Sequence, residues 1–585
     1  MRLKPRIVDA LRHPARLAGL LRRVVQLAFA GKLETMLRRF RPRSATPDEY
    51  RDWLADVPPF VPAGTTRFVV LLDAQAVRAQ DALRAGLADA AAQAVDVLVR
   101  DASGWTRATG DAARPLDALL APAGEAWLLW IVAPAQVAPD ALARLGAGCA
   151  LPGARVVFAD DDVVDADGRP AVPSFRSAWD PWRALEQDDL GPVLAVHRSL
   201  AAAVDRARGA AGRWRFLLET AAQHGDDAIV HVPGIVAHVA ARAVPSAEVR
   251  SAAASAVVAA ARSRGLDVAV DPAARPWLRY GEPAPARVSV VVPTRDRPAL
   301  LERCLASIAQ TRGDRDVEVV VVDNGSTDPG VGAVLGTSRD LRVRVVRRPE
   351  PFNFPRLCNA GVQAAAGDIV VLLNNDTVVA PGALDELAAL AGQPGVGAVG
   401  PLLLYPDGLV QSAAVLLGVN RTATSALAGF APDDPAVAAW CASRRRVTAV
   451  LGACIAIRRS TYVEAGGMDE RFAVSHNEVD LGLRLQARGL ANLFTPFARV
   501  VHMEGATRGF EVTADERARL DDEERLFLDT WGALLGHCDP AYHPALAHEG
   551  HPFALGRASY RAEPRTGWSR PTGRMPPDRA AAASR

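Results

Sequence analysis

Three valine- and leucine-rich segments between residues 288 and 376 each end in polar side chains that can bind a ligand. Short apolar runs of this kind are typical of buried strands in a parallel sheet. In an open α/β sheet, ligands bind just beyond the carboxyl ends of the strands. We therefore expect the polar groups at 294–296, 323–326 and 374–376 to meet in one crevice.

The residue types in this crevice favour an activated sugar as the ligand. A carboxylate such as Asp323 can accept hydrogen bonds from a base or a ribose, and Asp376 can hold a divalent cation against a diphosphate. Asp323 also lies in an Asp-Asn-Gly-Ser sequence, which is turn chemistry in its own right. The predicted donor-binding residues are Pro293, Thr294, Asp296, Asp323, Asn324, Asn359 and Asn375.

Further motifs follow in order along the chain, and together they carry a family resemblance. Residues 466–472 read Gly-Gly-Met-Asp-Glu-Arg-Phe, residues 476–484 form an acidic segment, and His502 follows Pro496. With Asn374-Asn375-Asp376, these motifs resemble those of family 2 glycosyltransferases, which have the GT-A fold. The similarity extends over roughly residues 286–545 and includes the closing sequence Asp-Pro-Ala-Tyr-His-Pro at 539–544.

The resemblance implies roles for four of these residues. Asp376 and His502 would be the ligands of Mn²⁺ or Mg²⁺, completed by phosphate oxygens and water. Glu478 would be the general base, with Asp480 two residues on, and which of the two carboxylates is the base stays open. Each has a simpler interpretation. Asp376 can be a polar residue after a strand, and His502 can be a core histidine. Glu478 and Asp480 can be acidic residues favoured by a helix N-terminus.

The resemblance also implies the reaction class. Family members are similar to inverting enzymes, which move a sugar from a nucleotide-sugar donor to a hydroxyl by single displacement. The implied acceptor is a cell-surface glycan or its lipid-linked precursor, as in O-antigen synthesis, and relatives of this layout are often rhamnosyltransferase-like.

An ordered set of similar segments indicates that the first half of the chain repeats the second. Residues 67–72, 95–103, 127–142 and 229–238 parallel residues 287–292, 317–326, 370–384 and 493–502. The first copy has lost the predicted metal ligands, because Val132-Ala133-Pro134 stands where the second copy has Asn374-Asn375-Asp376. Asp101 and His238 remain, and the acidic Asp160-Asp161-Asp162 is expected outside the metal position.

The sequence predicts an α/β fold with tandem GT-A domains, which are Rossmann-like nucleotide-diphospho-sugar transferase domains. Seven segments are expected. They are a basic amphipathic helical segment (1–45), a linker (46–64), a degenerate GT-A-like domain (65–245), a connecting helix and strand (246–285), a catalytic GT-A domain (286–510), a helical extension (511–554) and a disordered tail (555–585).

Charge is unevenly distributed along the 585 residues. The net charge is +2, yet residues 1–43 hold twelve Lys or Arg against two acidic residues. Residues 14–40 have helical spacing, and two interpretations are open: a helix on an anionic membrane surface, or a basic helix packed on the protein body. Nucleic acid is not expected as a partner, because Phe29 and Phe40 are the only aromatic residues in this stretch.

The remaining sequence features predict a cytoplasmic protein, peripheral on the inner face of the cell membrane. No apolar run approaches the ~18–20 residues that span a bilayer, and Leu17–Ala30 lacks the cleavage pattern of a signal peptide. The six cysteines form no CxxC pair, so reduced thiols are expected rather than disulfides or a zinc site.

Two other classes of function compete with the enzyme. One is a non-catalytic nucleotide-sugar-binding or scaffold protein of a polysaccharide assembly, against which the carboxylates and His502 argue. The other is a sugar-1-phosphate nucleotidyltransferase. It lacks support because residues 293–297 contain no glycine and so form no Gly-rich activation loop.

Overall fold

The structure is a computed structural model that describes residues 44–61, 66–73, 94–100, 105–107, 116–120, 126–132, 134–242, 244–281, 286–338, 340–503 and 513–568. The predicted basic helical segment therefore lies outside the described residues, apart from Ser44 and Ala45. Asp101 and residues 569–585 of the predicted tail lie outside them as well. All six cysteines are free thiols in the structure.

The first domain is built on a nine-stranded mixed sheet with the order β3-β2-β1-β4-β8-β6-β9-β5, and β7 pairs with β6. Its strands are β1 (Phe68–Asp73), β2 (Ala94–Arg100), β3 (Trp105–Arg107), β4 (Trp127–Ile131), β5 (Gln136–Val137), β6 (Val156–Val164), β7 (Pro170–Ser174), β8 (Val193–Val196) and β9 (Ile229–Val239).

The second domain is built on a ten-stranded mixed sheet with the order β14-β13-β12-β15-β22-β17-β23-β16, and β18 and β21 pair with β17 and β23. A short hairpin, β10 (Val268–Val270) and β11 (Leu278–Tyr280), lies between the domains in sequence. The strands of the second domain are β12 (Val288–Thr294), β13 (Val317–Asp323), β14 (Arg342–Arg347), β15 (Ile369–Leu373), β16 (Thr377–Val379), β17 (Val396–Leu404), β18 (Val410–Ser412), β21 (Arg445–Val447), β22 (Cys454–Arg458) and β23 (Ala491–His502), and β19 (Val415–Leu417) with β20 (Ala423–Ser425) forms a separate hairpin.

The two large sheets have the same topology, which confirms the predicted tandem α/β fold. Reading each order from its first strand, β1 corresponds to β12, β4 to β15, β6 to β17 and β9 to β23. The senses of pairing also agree: β1 and β4 are parallel, as are β12 and β15, whereas β8 and β22 are antiparallel to their neighbours. The sheets differ at the first edge, where β3 is antiparallel to β2 while β14 is parallel to β13. They also differ at β21, which pairs with β23 and has no counterpart among the described strands of the first sheet.

Helices cover both sheets, and about half of those described begin at a side-chain cap or a proline. The helix from Pro298 has proline in its first turn and buries Leu301, Cys304, Leu305 and Ile308 on one face, at the spacing of an amphipathic helix. The helices are α1 (Pro47–Ala55), α2 (Leu116–Leu120), α3 (Ala141–Cys149), α4 (Pro181–Glu186), α5 (Ala201–Arg206), α6 (Gly209–His224), α7 (Ala247–Ser263), α8 (Pro298–Thr311), α9 (Pro329–Thr337), α10 (Phe354–Ala364), α11 (Ala383–Ala391), α12 (Pro435–Trp440), α13 (Arg459–Glu464), α14 (Asn477–Ala487) and α15 (Ala514–Trp531).

A buried arginine joins the two domains. Arg444 donates to Glu186 of the first domain at 2.7 Å and to Glu386 of the second at 2.6 Å. Its side chain is fully buried, and its guanidinium lies over the rings of Tyr280 and Phe497. Removing one partner from such a group leaves a buried charge unpaired, so this contact fixes how the domains pack.

Two segments differ from the sequence expectation. The predicted linker contains α1, which is capped by a reciprocal Thr46 and Glu49 pair and buries Tyr50 and Trp53. The linker prediction gave weight to the prolines that follow and overlooked this capping box.

The predicted disordered tail is ordered as far as residue 568. Tyr560 stacks on Trp53, and Arg565 forms a backbone bridge with His231 of the first domain. The composition of this segment is that of a disordered chain, but its few aromatic and arginine side chains find partners on the folded domains. None of the described helices is long and apolar enough to cross a membrane.

Candidate active site

The carboxyl ends of three neighbouring strands are tied together by Thr294. This residue ends β12, its carbonyl accepts from the backbone of Asn324 at 2.8 Å, and its hydroxyl accepts from the Asn375 side chain at 2.9 Å. Asn324 follows β13 and Asn375 follows β15, so the structure brings the three predicted groups to one edge of the sheet. Pro293 is buried within β12, opposite Val322.

The loop after β13 is organised by two carboxylates. Asp323 is buried and accepts from the backbone of Ser326 at 2.8 Å, while Arg347 lies 3.7 Å from its other oxygen. Asp296 accepts from the backbone of Thr327 and Asp328 at 2.7 and 2.9 Å. These two N–H groups hold the pKa of Asp296 below its usual value, so this carboxylate is charged at neutral pH.

Asp376 and His502 face each other, although the sequence separates them widely. The cross-strand pair Thr377 and His502 joins β16 to β23, and it places His502 Nε2 at 3.1 Å from Asp376 Oδ1. The other imidazole nitrogen, Nδ1, lies 2.9 Å from the Gln411 side-chain oxygen. When Nδ1–H donates to that oxygen, Nε2 presents its lone pair to the carboxylate.

This geometry fits a divalent cation. Two electron-pair donors at 3.1 Å repel each other unless a cation or a proton lies between them, and an imidazole whose other nitrogen is held by an amide oxygen is a typical arrangement for a metal ligand. A carboxylate with an imidazole suits Mn²⁺ at least as well as Mg²⁺. The Asn374 amide nitrogen also lies 3.3 Å from His502 Nε2, and Asp376 and His502 stay the predicted ligands of the ion.

The structure separates the environments of the two candidate bases. Asp480 is buried, accepts from Arg484 Nε at 2.8 Å and accepts from the indole N–H of Trp531 at 3.0 Å. Glu478 lies in the same helical turn and is half-buried. Burial raises the pKa of Glu478 to about 7, although its own backbone N–H acts in the opposite direction. A carboxylate with this pKa suits proton abstraction near neutral pH.

A short segment before β22 connects the metal pair to the acidic helix. The carbonyl of Ala453 accepts from the backbone of Asn374 at 3.0 Å, next to Asp376. On the other side, a Cβ placed on Gly452 would lie 3.9 Å from Glu478 Cβ and 3.7 Å from the Phe354 ring. Residues 452 and 453 thus lie between the candidate base and Asn374, which is two residues before the candidate metal ligand Asp376.

Asn359 has a different surrounding from the one expected of a donor contact. Its amide nitrogen donates to Met468 O and Glu470, and its oxygen accepts from Tyr462 and the Met468 backbone. Both hydrogens and both lone pairs are used, so Asn359 holds the turn at 466–468. A Cβ on Gly467, whose φ is +70°, would lie 2.6 Å from the Asn359 oxygen, which explains the glycine.

Among the residues that the structure describes, the first domain has no equivalent ligands at the corresponding strand end. Gln136 pairs with His238 as Thr377 pairs with His502. However, Val132 and Pro134 stand at the positions that Asn374 and Asp376 occupy in the second domain. His238 Nδ1 lies instead 2.6 Å from Asp162, whose other oxygen accepts from Tyr50 at 2.7 Å. The remaining histidine is therefore part of an internal network.

Asp160-Asp161-Asp162 lies inside β6 rather than after it, and all three side chains are buried. Asp160, His231 and His543 have ligand atoms within 4.8 Å of one another, the one such group of three among the described residues. Although burial opposes it, the two histidines hold the pKa of Asp160 well below its usual range. The three residues thus form a compact Asp/His group with the spacing of a metal site.

The hydrogen bonds of this group favour protons over a metal ion. The backbone N–H groups of Arg176 and Gly234 already occupy the two Asp160 oxygens at 2.8 and 2.7 Å. The backbone of Ala545 donates to His543 Nδ1 at 3.0 Å, so the hydrogen of a neutral His543 is on Nε2, where it donates to Asp160. If a metal ion occupied Nε2 of His543, the imidazole hydrogen would have to be on Nδ1. It would then face the backbone N–H of Ala545, which is also a donor.

Sequence reasoning missed the residues that hold the predicted ones in place. Gln411 orients His502, Ser326 donates its backbone to Asp323, and Trp531 donates to Asp480. Gln411 lies in a Val-Gln-Ser strand with no local signal. Trp531 is more than 50 residues from its partner, and only the tertiary structure brings them together.

Comparison with known proteins places the chain in a family. The sequence model of glycosyl transferase family 2 matches residues 289–440. The chain is 32% identical over 479 residues to the O-antigen biosynthesis protein RfbC of Myxococcus xanthus, an alignment that covers 76% of this chain and 34% of that protein. The chain thus spans about a third of the length of this relative.

Two further proteins are similar to parts of the chain. A mannosyltransferase from Pyrobaculum calidifontis, solved with GDP-Man and Mn²⁺, has 24% identity and a TM-score of 0.31 over 44% of this chain and 66% of that one. The N-acetylglucosaminyl-diphospho-decaprenol L-rhamnosyltransferase of Mycobacterium tuberculosis is 33% identical over 228 residues, which are 36% of this chain and 73% of that protein. The chain therefore belongs to glycosyl transferase family 2, a family of sugar-transferring enzymes.

Proposed function

We propose that the second domain transfers a sugar from a nucleotide-sugar donor to a hydroxyl of a cell-surface glycan or a lipid-linked glycan precursor. The observation that carries this proposal is the pair Asp376 and His502, 3.1 Å apart at the carboxyl edge of the sheet, with Glu478 beside the adjoining segment. Relatives named for O-antigen biosynthesis and for rhamnosyl transfer to a diphospho-decaprenol-linked sugar support this class of acceptor.

The side chains at the sheet edge divide the work of donor binding. Asp323 would accept from the base or ribose, and Thr294, Asp296, Asn324 and Asn375 would line the same crevice. Asp376 and His502 would hold Mn²⁺ or Mg²⁺, which when bound neutralises the diphosphate leaving group. Asn359 would act on the turn at 466–468 rather than on the donor.

The transfer itself is a single displacement. The acceptor oxygen forms a bond to the anomeric carbon as the bond from that carbon to the diphosphate oxygen breaks, and the hydroxyl proton passes to Glu478. Glu478 takes this role rather than Asp480, because Asp480 already accepts hydrogen bonds from Arg484 and Trp531. One displacement inverts the anomeric configuration, in agreement with the resemblance.

We also propose that the protein works at the inner face of the cell membrane. Residues 1–43 carry a net charge of +10, which would attract an anionic leaflet. Co-sedimentation with vesicles that contain or lack anionic lipid checks this location, and equal binding to both would contradict it.

The experiment for catalysis is nucleotide release from UDP-, GDP- and dTDP-sugars by the purified chain with Mn²⁺, Mg²⁺ or EDTA. We expect one donor to turn over with metal, and Asp376→Ala to lower that rate by about 100-fold or more. Asp433→Ala, which removes an exposed carboxylate of the same domain, is the matched control. Turnover that EDTA and Asp376→Ala leave unchanged would sink the metal assignment. Metal-independent binding without turnover of any donor would favour a scaffold protein.

A further inference from the structure

The helix that follows the catalytic domain, α15, buries only one edge. Ten of its 18 residues are charged and nine are exposed, and its buried side chains are Glu523, Phe527 and Trp531. These residues are spaced by four, so they lie one above the other on the same face. Each of them contacts the segment that carries Glu478.

Glu523 holds the chain just before the candidate base. Its carboxylate accepts from the backbone and the hydroxyl of Ser475 at 2.7 and 2.8 Å, and from the backbone of Val474 at 3.3 Å. The Glu523 side chain is 3% exposed. A buried carboxylate with several N–H and O–H donors fixes the position of the groups that donate to it.

Phe527 supports a strained residue next to the base. Its ring stacks on His476 with a centroid distance of 4.7 Å and an interplanar angle of 29°. His476 directly precedes α14 and has φ +61°, a left-handed conformation that few residues other than glycine adopt without support from the surrounding structure. The imidazole also lies 3.0 Å from the hydroxyls of Ser475 and Thr422.

Trp531 fixes the other side of the base. Its indole N–H donates to Asp480 Oδ1 at 3.0 Å, and Arg484 donates to the second oxygen. Asp480 lies within the first turn of α14, as does Glu478. The three side chains of α15 therefore hold the chain before Glu478 and the helical turn after it.

We propose that Glu523, Phe527 and Trp531 are positioning residues, which aim the Glu478 carboxylate at the acceptor hydroxyl. This inference rests on the proposed role of Glu478 as the base. A displacement of a reacting group by ~1 Å can lower a rate by about 100-fold, even when the change is made far from the chemistry. The face of α15 thus contributes to turnover without touching the substrate.

The first test is Trp531→Phe, which keeps an aromatic ring and removes the N–H that Asp480 accepts. With the donor that turns over, kcat for nucleotide release is expected to fall by about 10- to 100-fold. The Kd of that donor with Mn²⁺, measured by calorimetry, is expected to stay within about twofold, because no contact with the donor changes. Asp529→Asn, on the exposed side of α15, is the control and should leave both values unchanged.

A double-mutant cycle separates positioning from a loss of fold. In the Glu478→Gln background there is no base to aim, so Trp531→Phe should lower kcat by less than about twofold further. The inference would be overturned if Trp531→Phe lowered kcat by the same factor in the Glu478→Gln background as in the wild-type chain. It would also be overturned if Trp531→Phe alone left kcat unchanged. Glu523→Gln gives a second, independent cycle if Trp531→Phe does not fold.

The same cycle distinguishes this inference from the proposed function. If Glu478→Gln alone leaves kcat unchanged, the base assignment is wrong and the inference is rejected with it. If Glu478→Gln abolishes turnover while Trp531→Phe and Glu523→Gln do not reduce it, the base assignment stands and only the positioning role is rejected.

Discussion

The two domains have the same strand order but use the corresponding edge of the sheet in opposite ways. In the second domain, the residues after β15 and at the end of β23 place a carboxylate and an imidazole 3.1 Å apart at the edge of the sheet. In the first domain, the equivalent strand end has Val132 and Pro134, and His238 is bound to Asp162. One topology thus carries the candidate active site in one copy and an internal network in the other.

The difference lies in how the titratable groups are satisfied. The carboxylate of Asp160 has four hydrogen-bond donors and a pKa well below its usual range, which is the condition of a group that stabilises the folded state. Glu478 has a pKa raised to about 7 by burial, which is the condition of a group whose charged form the fold disfavours. Perturbation of this second kind is typical of functional sites.

The largest expected effect is on turnover when Glu478 is changed to Gln. We expect kcat to fall by about 10²- to 10⁴-fold, the usual contribution of a general base. In the wild-type chain, kcat should rise with pH through about 7, because the base must lose its proton to act. A pH–rate profile from pH 5 to 9 measures this rise.

The same variant should be more stable than the wild-type chain above pH 7. The folded pKa of Glu478 is raised above its unfolded value, so its contribution to stability is present at low pH and is lost as the pH rises through about 7. Thermal melting at pH 8 should therefore give a higher Tm for Glu478→Gln. If Glu478→Gln lowered the Tm and left turnover unchanged, Glu478 would be a stabilising group like Asp160. The two domains would then not differ in how their titratable groups are used.

The next effect is on stability when Asp160 is changed to Asn in the first domain. The amide NH2 of the new side chain would replace one carboxylate oxygen, so it would face the backbone N–H of Gly234 or Arg176, which is also a donor. His231 and His543 would lose a charged partner. Breaking a buried charged network of this kind costs about 3–5 kcal/mol of unfolding free energy. Urea unfolding measures the loss, with Asp167→Asn at an exposed position as the control.

Turnover per folded molecule should be unaffected by Asp160→Asn. Its side chain contacts β9 and the C-terminal segment through His231 and His543, and none of the predicted donor or metal residues. A loss of kcat in the folded variant would mean that the first domain takes part in catalysis, and the comparison of the two domains would then have to be revised.

Local signals predicted the strands and their polar ends, because apolar runs and terminal Thr, Asp and Asn are visible in the sequence. They also predicted the repeat, since four segments occur in the same order in both halves. They did not predict that Asp160 binds His543, because 383 residues separate the two side chains. For the same reason the choice between Glu478 and Asp480 needed the contact of Asp480 with Trp531.

The smallest expected effect is a pH dependence of stability that comes from His231. Burial lowers the pKa of this imidazole to about 4, against the opposing attraction of Asp160, and His543 and Arg565 lower it further. Between about pH 6.5 and 4 the unfolded chain binds a proton that the folded chain does not, so stability falls as the pH is lowered through this window. The loss is at most ~3 kcal/mol, at ~1.4 kcal/mol for each pH unit. Urea unfolding at pH 7, 6, 5 and 4 should show a smaller loss for His231→Gln than for the control His224→Gln, which changes an exposed histidine at the end of α6. Equal losses in the two variants would mean that His231 binds a proton in the folded chain as well as in the unfolded chain. The first domain would then contain a titrating site of its own.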